Sequence, residues 1–376
     1  MSNRKVQAIS ILFSAVLLMS LSCGDETDNI TEVNRDESTI ELVIADTIGI
    51  EIGDSNYVFG AIIDAAFMPD GRIALLDVVK NRISVFSQDG EFLFSTGNTG
   101  IGPGEFNEPS SIAILPNGDI AVVDHMQYKI VVFDYHFCLK REICAFIPQP
   151  PATIRAGNDS SVVGLQLHYF IEDDGIYIGS RLGSWSDSPE PDIVYYSKYS
   201  RHDGDGPAQM HRVAFCTDSD GNVFYSPFSQ DEYRILGFTP NGDTLFNLSE
   251  PYIRMNKTPE EIASEHLSYM VGTPGFDDSD ARRMLAQWEP DPVRYAITGL
   301  YVDQLQRLWV ATGRGEGSSP VFEVYKISGS HLYTVSTELP AEAHNWRMVF
   351  GENRILAFDQ NPDDYSKVII INITEY

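Results

Sequence analysis

The chain is poor in cysteine and in basic residues, and it has no long apolar run after residue 22. Its 376 residues include 4 cysteines, and 26 lysines and arginines stand against 54 aspartates and glutamates. The net charge of −28 repels phosphate backbones, so we expect no nucleic-acid partner. After residue 22, no segment approaches the roughly 20 apolar residues that a membrane-spanning helix needs. Contact with a membrane is therefore expected through the N-terminal segment alone.

Three of the cysteines fit neither a disulfide framework nor a zinc motif. Cys138 and Cys144 are expected along one extended segment, where six residues span about 20 Å, which is beyond disulfide reach. No spacing between these residues and Cys216 matches that of zinc ligands. We therefore predict that all three are buried small apolar side chains.

The N-terminus carries the features of a secretory signal. Arg4 and Lys5 precede an apolar run at residues 9–22, and a small residue comes directly before Cys23. This arrangement resembles the lipobox of bacterial lipoproteins, in which the cysteine sulfur receives a diacylglycerol and the chain is cleaved just before it. Ser20 departs from the leucine often found three places before that cysteine. The alternatives are a plain signal peptide followed by an incidental cysteine, and an uncleaved membrane anchor, for which the apolar run is short against a span of about 20 residues.

The resemblance predicts three parts. Residues 1–22 form the signal peptide, residues 23–38 the lipidated cysteine with an acidic tether, and residues 39–376 the folded domain. The tether after Cys23 contains six acids and one base with almost no apolar surface, so we expect it to be disordered. Gly24 and the acid-rich start resemble outer-membrane lipoproteins, which implies a lipid anchor in the cell envelope, at the outer membrane.

The folded part repeats a pattern of about 47 residues. Residues 64–77 align without a gap with residues 111–124, and the alignment continues from 82–86 to 129–133. In both units, an Asp-Gly or Asn-Gly dipeptide provides a hairpin turn, because glycine adopts positive φ readily. Each unit is therefore expected to form four short antiparallel strands.

Six such units predict an all-β fold, a six-bladed β-propeller. The later units begin near Val162, Val213, Ile297 and Arg347, although the third shows no clear fourth strand and the last shows only three strands. A β-sandwich fits less well, because it has no reason to repeat the same turn at the same place. The strand at 40–44 has no unit of its own, so we predict that it completes the last blade and closes the ring.

The motifs between strands resemble those of NHL repeats. Residues 97–106, followed by Pro109 and a strand, look like an NHL-repeat junction, as does Asp-Gly followed by apolar residues, Asp and Arg-Ile-x-Val-Phe. The chain is similar to bacterial six-bladed, NHL-like propeller lipoproteins of the TolB-like superfamily, most clearly over about residues 48–146. The resemblance implies the fold but no reaction, because such propellers include binders, sensors, lyases and lactone hydrolases.

Propeller geometry separates the loops onto two faces. With strands A to D numbered from the axis outward, the A–B and C–D turns form the turn face, and the B–C loops and D-to-A crossings form the crossing face. Residues 181–192, with Trp185, are predicted to be a B–C loop. Residues 250–294 are predicted to be a helical insertion between blades four and five, with helices starting near Thr258 and Asp278. We expect this insertion to be a wall or lid at the axial mouth; a flap without a ligand is the alternative.

The candidate ligand-binding residues are three histidines and three aromatic residues expected near the crossing face. They are His125, His211, His344, Trp185, Tyr269 and Trp288. Aromatic faces suit sugars, peptides or cationic groups, and buried packing of the lid is the alternative for these aromatic residues. Three histidines at one mouth could hold zinc, as the resemblance to NHL-like lyases implies. The sequence around them has no local spacing signature, and ordinary surface or turn histidines are the alternative.

No recognisable catalytic set is present. The sequence has no G-x-S-x-G nucleophile motif. Residues 218–222 resemble the start of a calcium loop, but Ser229 stands where the loop needs a glutamate. Asp77 and Asp124 end equivalent strands and are predicted to cap the following turns; a ring of carboxylates around a cation is the alternative.

These observations favour a lipid-anchored, extracytoplasmic binding module over an enzyme. We predict no cofactor, and we expect a protein, peptide or glycan ligand at the axial mouth under residues 250–294. The alternative is a metal-dependent lyase or hydrolase of the NHL-like or lactonase-like propeller type, with Zn²⁺ or Ca²⁺ at the same mouth. A purely structural part of an envelope complex is the third hypothesis.

Overall fold

The computed structural model describes residues 40–202, 211–270, 290–360, 362 and 364–376, with the backbone alone for 266–270. The predicted signal peptide, Cys23, the tether, the second helix from Asp278 and Trp288 lie outside the described residues. Among the described residues, no helix has the length and apolar character that crossing a membrane requires.

The described part consists of 24 strands with one α-helix and one short 3-10 helix, Ala341–His344. The strands are β1 (Ile40–Ile48), β2 (Ile62–Phe67), β3 (Ile73–Asp77), β4 (Arg82–Phe86), β5 (Phe92–Thr96), β6 (Pro109–Ile114), β7 (Ile120–Asp124), β8 (Lys129–Phe133), β9 (Leu139–Ile143), β10 (Thr153–Ala156), β11 (Val162–Glu172), β12 (Gly175–Trp185), β13 (Ile193–His202), β14 (Val213–Thr217), β15 (Val223–Pro227), β16 (Glu232–Phe238), β17 (Thr244–Pro251), β18 (Ile297–Val302), β19 (Arg307–Thr312), β20 (Val321–Lys326), β21 (His331–Ser336), β22 (Arg347–Phe350), β23 (Arg354–Phe358) and β24 (Val368–Glu375); the helix α1 is Pro259–Met270.

The strands form six four-stranded antiparallel sheets around one axis, which confirms the six-bladed propeller. Blades 1 to 5 are β2–β5, β6–β9, β10–β13, β14–β17 and β18–β21, in chain order from the axis outward. The inner strands of successive blades contact one another, and β22 of the last blade contacts β2 of the first. The ring is therefore closed.

Blade 6 is completed by the N-terminal strand, as the sequence predicts. Its order is β22, β23, β24 and then β1 at the outer edge. Ile44 lies opposite Ile371 and Ile48 opposite Val368 in the β1–β24 ladder. Leu42 is buried against the interface between blades 5 and 6, whereas Val43 on the opposite side of the strand is 49% exposed.

The cores lie between neighbouring blades, which explains the continuous apolar strands of the repeat. Every residue of β3 and of β7 is buried, because both faces of each sheet are covered by adjacent blades. The A–B turns contain Gly71 at φ +85° and Gly118 at φ +82°, the positive values that the hairpin dipeptides predict.

The two aspartates that end the second strands of blades 1 and 2 cap local turns. Asp77 accepts hydrogen bonds from the N–H groups of Gly60 and Lys80, at 2.8 and 3.0 Å. Asp124 accepts equivalent bonds from the N–H groups of Asn107 and Gln127, at 2.8 and 3.1 Å. Each carboxylate thus fastens an incoming crossing to a B–C turn.

Blade 3 differs from the prediction. Its inner strand is β10, a four-residue strand that precedes Val162, where we expected the blade to begin, so each of the next three strands lies one place further from the axis than predicted. Residues 181–185 therefore end the third strand, and residues 186–192 form a C–D turn on the turn face rather than a B–C loop on the crossing face. The strand β10 could not be predicted from the sequence, because four residues with one buried aliphatic side chain, Ile154, show almost no hydrophobic periodicity.

The prediction of buried cysteines is right for Cys216 and wrong for Cys138 and Cys144. Cys216 is buried in an inner strand, while Cys138 and Cys144 are exposed and all three thiols are free. The two exposed residues flank β9, the outermost strand of blade 2, which largely faces solvent.

Ring closure predicts a contrast between two neighbouring residues of β1. Leu42→Ala should lower the free energy of unfolding by about 2–4 kcal/mol, because it leaves a cavity in the interface between blades 5 and 6. Val43→Ala at the exposed side should change it by less than about 0.5 kcal/mol. Urea unfolding of both variants measures the difference, and equal effects would contradict the role of β1 as a packed closing strand.

Candidate ligand site at the propeller axis

A cavity of about 230 Å³ lies on the axis and is lined by the inner strands of all six blades. Its walls include Ala66, Ile114, Thr217 and Met348, each from a different blade. The lining residues lie mainly in the later parts of their strands, which run from the crossing face to the turn face. The cavity therefore occupies the turn-face half of the axial channel.

One charged side chain, that of Arg155, lines this cavity among mostly aliphatic, aromatic and small neighbours. The polar neighbours are Cys216, Thr217, Tyr301 and Gln304. Arg155 belongs to the short strand β10, where Ile154 on one side is buried in the core and the arginine keeps 28% of its side chain exposed. Such a mixture of apolar walls and few polar groups is typical of small-molecule sites.

A buried ionic cluster adjoins Arg155. Asp64 in β2 is fully buried, and its Oδ2 accepts hydrogen bonds from the Ser111 hydroxyl, the Ile112 N–H at 3.1 Å and Arg347 Nη2 at 3.0 Å. Arg155 Nη1 lies 3.8 Å from the same oxygen. The cluster thus joins the inner strands of blades 6, 1, 2 and 3.

The hydroxyl of Ser111 extends this connection around the axis. Ser111 Oγ also accepts a hydrogen bond from the N–H of Ile154 at 3.1 Å. Asp64 and Ser111 occupy equivalent places in the 47-residue repeat, and each binds an N–H of the next blade's inner strand. These side chains supply partners to backbone groups at the inner edge of the propeller, where sheet pairing ends.

Burial and like charge perturb the titration of the groups around the cavity. Burial lowers the pKa of Arg347 to about 10, with Asp64 opposing the shift and Arg155 adding to it. Burial raises the pKa of Tyr301 to about 12, although both arginines act against that shift. Burial also raises the pKa of the Cys216 thiol. At neutral pH the Arg347 guanidinium, the Tyr301 phenol and the Cys216 thiol therefore all keep their protons.

A smaller cavity of about 70 Å³ lies on the crossing face beside α1. The helix begins as predicted, with a capping box: Thr258 N–H donates to Glu261 Oε2 at 2.7 Å and Glu261 N–H donates to Thr258 Oγ1 at 3.3 Å. Asn345, just before β22, donates to Ser264 Oγ at 2.6 Å. The described helix of the insertion is thus fastened to blade 6.

A buried ion pair completes this attachment. Arg294 donates from Nε and Nη2 to the Glu261 carboxylate at 3.0 and 2.5 Å, and both side chains are almost fully buried. Arg294 also donates to the carbonyls of Gly315 and Gly317 at 2.6 and 2.7 Å, which ties the helix to a B–C loop of blade 5. These bonds fasten the start of α1 to blade 5.

The three candidate histidines lie near the crossing face, each with its own partner. His125 Nε2 lies 3.0 Å from Gln149 Oε1, and His211 Nε2 lies 3.0 Å from Ser200 Oγ. His344 Nε2 lies 3.1 Å from the Ser318 carbonyl. Within the described part of the chain, no group of three or more histidine, cysteine or acidic side chains could hold a metal ion.

Of the three candidate aromatic residues, Trp185 is the one whose side chain the structure describes. Trp185 is fully buried between blades 2 and 3, where its ring packs against Phe146 and its Nε1 donates to the Pro189 carbonyl at 3.1 Å. The predicted position in a B–C loop was wrong, because Trp185 ends the third strand of its blade. Tyr269 lies in the last part of α1, residues 266–270, of which the backbone alone is described.

Sequence reasoning missed the residues of the axial cluster. The signal for Asp64 and Ser111 was present, since both are polar residues at the same place of an otherwise apolar inner strand. Arg155 and Arg347 carry no comparable signal, because neither belongs to the gap-free part of the repeat.

The comparison with protein families agrees with the propeller. The model of a family described as a 6-bladed beta-propeller, DUF5128, matches residues 51–145, which contain the two blades where the repeat is clearest. Comparison with curated proteins gives no match.

Several solved structures are similar over most of the chain. A member of the duf4221 family from Bacteroides vulgatus has 9% identity and a TM-score of 0.47, covering 90% of this chain and 99% of that one. Virginiamycin B lyase from Staphylococcus aureus has 10% identity and a TM-score of 0.46, covering 89% and 100%. A protein from Bacteroides fragilis described as exported has 13% identity and a TM-score of 0.45, covering 92% and 98%. Similarities this distant support no statement on function.

The buried pair at α1 predicts a pH-dependent local stability. Burial alone would raise the pKa of Glu261, but hydrogen bonds from Arg294 and Thr258 and the nearby His344 outweigh it, and the pKa lies below its usual value. Because the pKa of Glu261 is lower in the folded state, its ionised carboxylate stabilises the folded state at pH values above the unfolded-state pKa of about 4.3. This stabilisation is lost as the pH falls through the folded-state pKa.

Glu261→Gln should therefore lower the local stability of α1 by about 3 kcal/mol at pH 7, because it leaves Arg294 buried without a counter-ion. Hydrogen exchange of the α1 amides measures this loss, and the difference from the wild type should narrow below about pH 4. The matched control is Glu260→Gln, which changes an exposed neighbour in the same turn. Equal protection in both variants would contradict the account.

Proposed function

We propose that this chain is a lipid-anchored, extracytoplasmic binding protein whose ligand, or one group of a larger ligand, occupies the axial cavity. The observation that supports this most is the convergence of all six inner strands on one cavity with a single charged side chain, Arg155, among apolar walls. The proposed ligand site therefore lies on the propeller axis in the turn-face half of the channel, whereas the sequence predicted a site at the axial mouth under residues 250–294.

The chemistry of the cavity favours binding over catalysis. Cys216 and Tyr301 have raised pKa values, so both remain protonated at neutral pH and are poor nucleophiles or bases. Asp64 already accepts three hydrogen bonds at Oδ2 and is fully buried, which leaves it unsuited to exchange protons with a substrate. The described lining thus contains groups that can bind a ligand, but no nucleophile or base that is activated for catalysis.

The anchor is proposed from the sequence at Cys23. The basic start, the short apolar run and the small residue before this cysteine support cleavage and lipidation at that position. The acidic segment 24–38 would then separate the lipid from an NHL-like propeller, on the outer membrane of the cell envelope.

Filling the cavity tests the binding site. Thr217 lines the cavity at the end of β14, and Thr217→Phe should abolish binding of small-molecule fragments, because the ring occupies the space that a ligand needs. Ligand-observed NMR with a library of neutral, anionic and cationic fragments measures binding. Thr244→Phe, at an exposed position of β17, is the matched control. Fragments that bind Thr217→Phe as well as the wild type would place the site elsewhere.

Lipidation can be tested by replacing one atom. Cys23→Ser should release the protein from the membrane fraction into the soluble fraction of the cell envelope, because a serine hydroxyl does not receive the thioether-linked lipid. Cys144→Ser, which changes an exposed free thiol of the domain, should stay with the membrane. Mass spectrometry of the N-terminal peptide provides the direct readout. An unmodified Cys23 in mature protein would contradict the lipid anchor.

A further inference from the structure

We infer that the axial cavity binds an organic monoanion, a compact apolar body with one carboxylate that pairs with Arg155. The inference rests on the proposed function and names the ligand class of the same site. It depends on three features. The Asp64 carboxylate already accepts hydrogen bonds at both oxygens, the Arg155 guanidinium has donors that its described contacts do not use, and the wall of the cavity is apolar.

The carboxylate of Asp64 is already fully engaged. Its Oδ2 accepts from Ser111, the Ile112 N–H and Arg347, and its Oδ1 accepts from the Ala65 N–H at 3.0 Å. Arg155 Nη1 is 3.8 Å from Oδ2, which is beyond hydrogen-bonding distance. Asp64 therefore serves Arg347 and the inner-edge backbone, and its contact with Arg155 is a long ion pair without a hydrogen bond.

The guanidinium of Arg155 has donors to spare. Of the five N–H donors of an arginine side chain, the described contacts of Arg155 use Nη1, which donates to the Ile154 carbonyl at 2.7 Å. A carboxylate can accept two parallel N–H bonds from the remaining edge, which is the strongest pairing that arginine makes. Because Arg155 lines the cavity, a ligand there can reach this edge.

The charge balance favours one negative charge. Two guanidinium groups share a single carboxyl side chain, and Arg155 contributes to the lowered pKa of Arg347, which is a sign of repulsion between them. One ligand carboxylate would balance the excess, whereas a cation would add to it. A dianion would bring more negative charge than this excess of one positive charge, in a protein whose net charge is already −28.

The walls favour an organic body over a small inorganic ion. Ala66, Ile114 and Met348 present apolar surface, and a hydrated ion would leave that surface against water. Tyr301, which keeps its proton because its pKa is raised to about 12, supplies a hydroxyl donor on the same lining. An apolar body with a single acid group satisfies both surfaces.

Three probes of one shape test the inference: benzoate, benzamide and benzylamine, titrated into the full chain and measured by ligand-observed NMR. Benzoate should bind at least tenfold more tightly than benzamide, because a hydrogen-bonded charge contributes more than a neutral amide. Benzylamine should not bind. Arg155→Met should weaken benzoate binding at least tenfold and remove the preference over benzamide, while Arg155→Lys should retain the preference.

Controls separate this inference from the proposed function. Arg254→Met removes a surface cation that pairs with Asp231 and should leave the binding of all three probes unchanged. If benzoate and benzamide bind equally, and Arg155→Met alters neither while Thr217→Phe blocks both, the monoanion inference is wrong and the binding site stands. If benzoate does not bind at all, or if Thr217→Phe leaves its binding intact, the inference is also overturned, and the fragment screen decides the proposed function by itself.

Discussion

The antiparallel pairing of β1 with β24 is the constraint on which the rest of the structure depends. A strand from the start of the described chain completes a blade built from its end, so the first and last blades become neighbours. Without this pairing the propeller would be an open stack with exposed edges at blades 1 and 6. Closure brings six inner strands around one axis, and the axial cavity exists because they meet there.

The closed ring creates a second requirement at its centre. The inner strand of each blade has one edge without a partner strand, and its backbone groups need other partners. Asp64 and Ser111 meet that requirement between blades 1, 2 and 3, and Arg347 joins blade 6 to the same carboxylate. A structural need therefore places charge at the axis. The proposed recognition of an anion uses the guanidinium of Arg155, which contacts the Asp64 carboxylate at 3.8 Å without a hydrogen bond.

Much of the fold could be predicted from the sequence, because it is encoded in repeated local signals. The 47-residue repeat of blades 1 and 2, the hairpin glycines such as Gly71 and the unpaired early strand at 40–44 predicted the blades and their closure. The strand positions in blade 3 were predicted incorrectly. Its inner strand β10 has four residues, whereas its second and third strands have eleven each, so the longer β11 was taken for the inner strand.

The site was harder to predict than the fold. Sequence patterns indicate which residues share a strand, but the axial cluster joins residues as distant as Asp64 and Arg347, whose proximity depends on closure. Histidines and tryptophans were predicted as site residues because their side chains are chemically distinctive. In the structure Trp185 is buried in the core, and the three histidines hydrogen-bond to separate local partners.

The most direct measurement is a crystal structure of the protein purified from its own cell envelope without added ligands. The account predicts electron density for a small organic molecule on the axis, with an acidic group between Arg155 and Tyr301 and its apolar part against Met348. A ligand bound on the crossing face beside α1, with only ordered water along the inner strands, would contradict it.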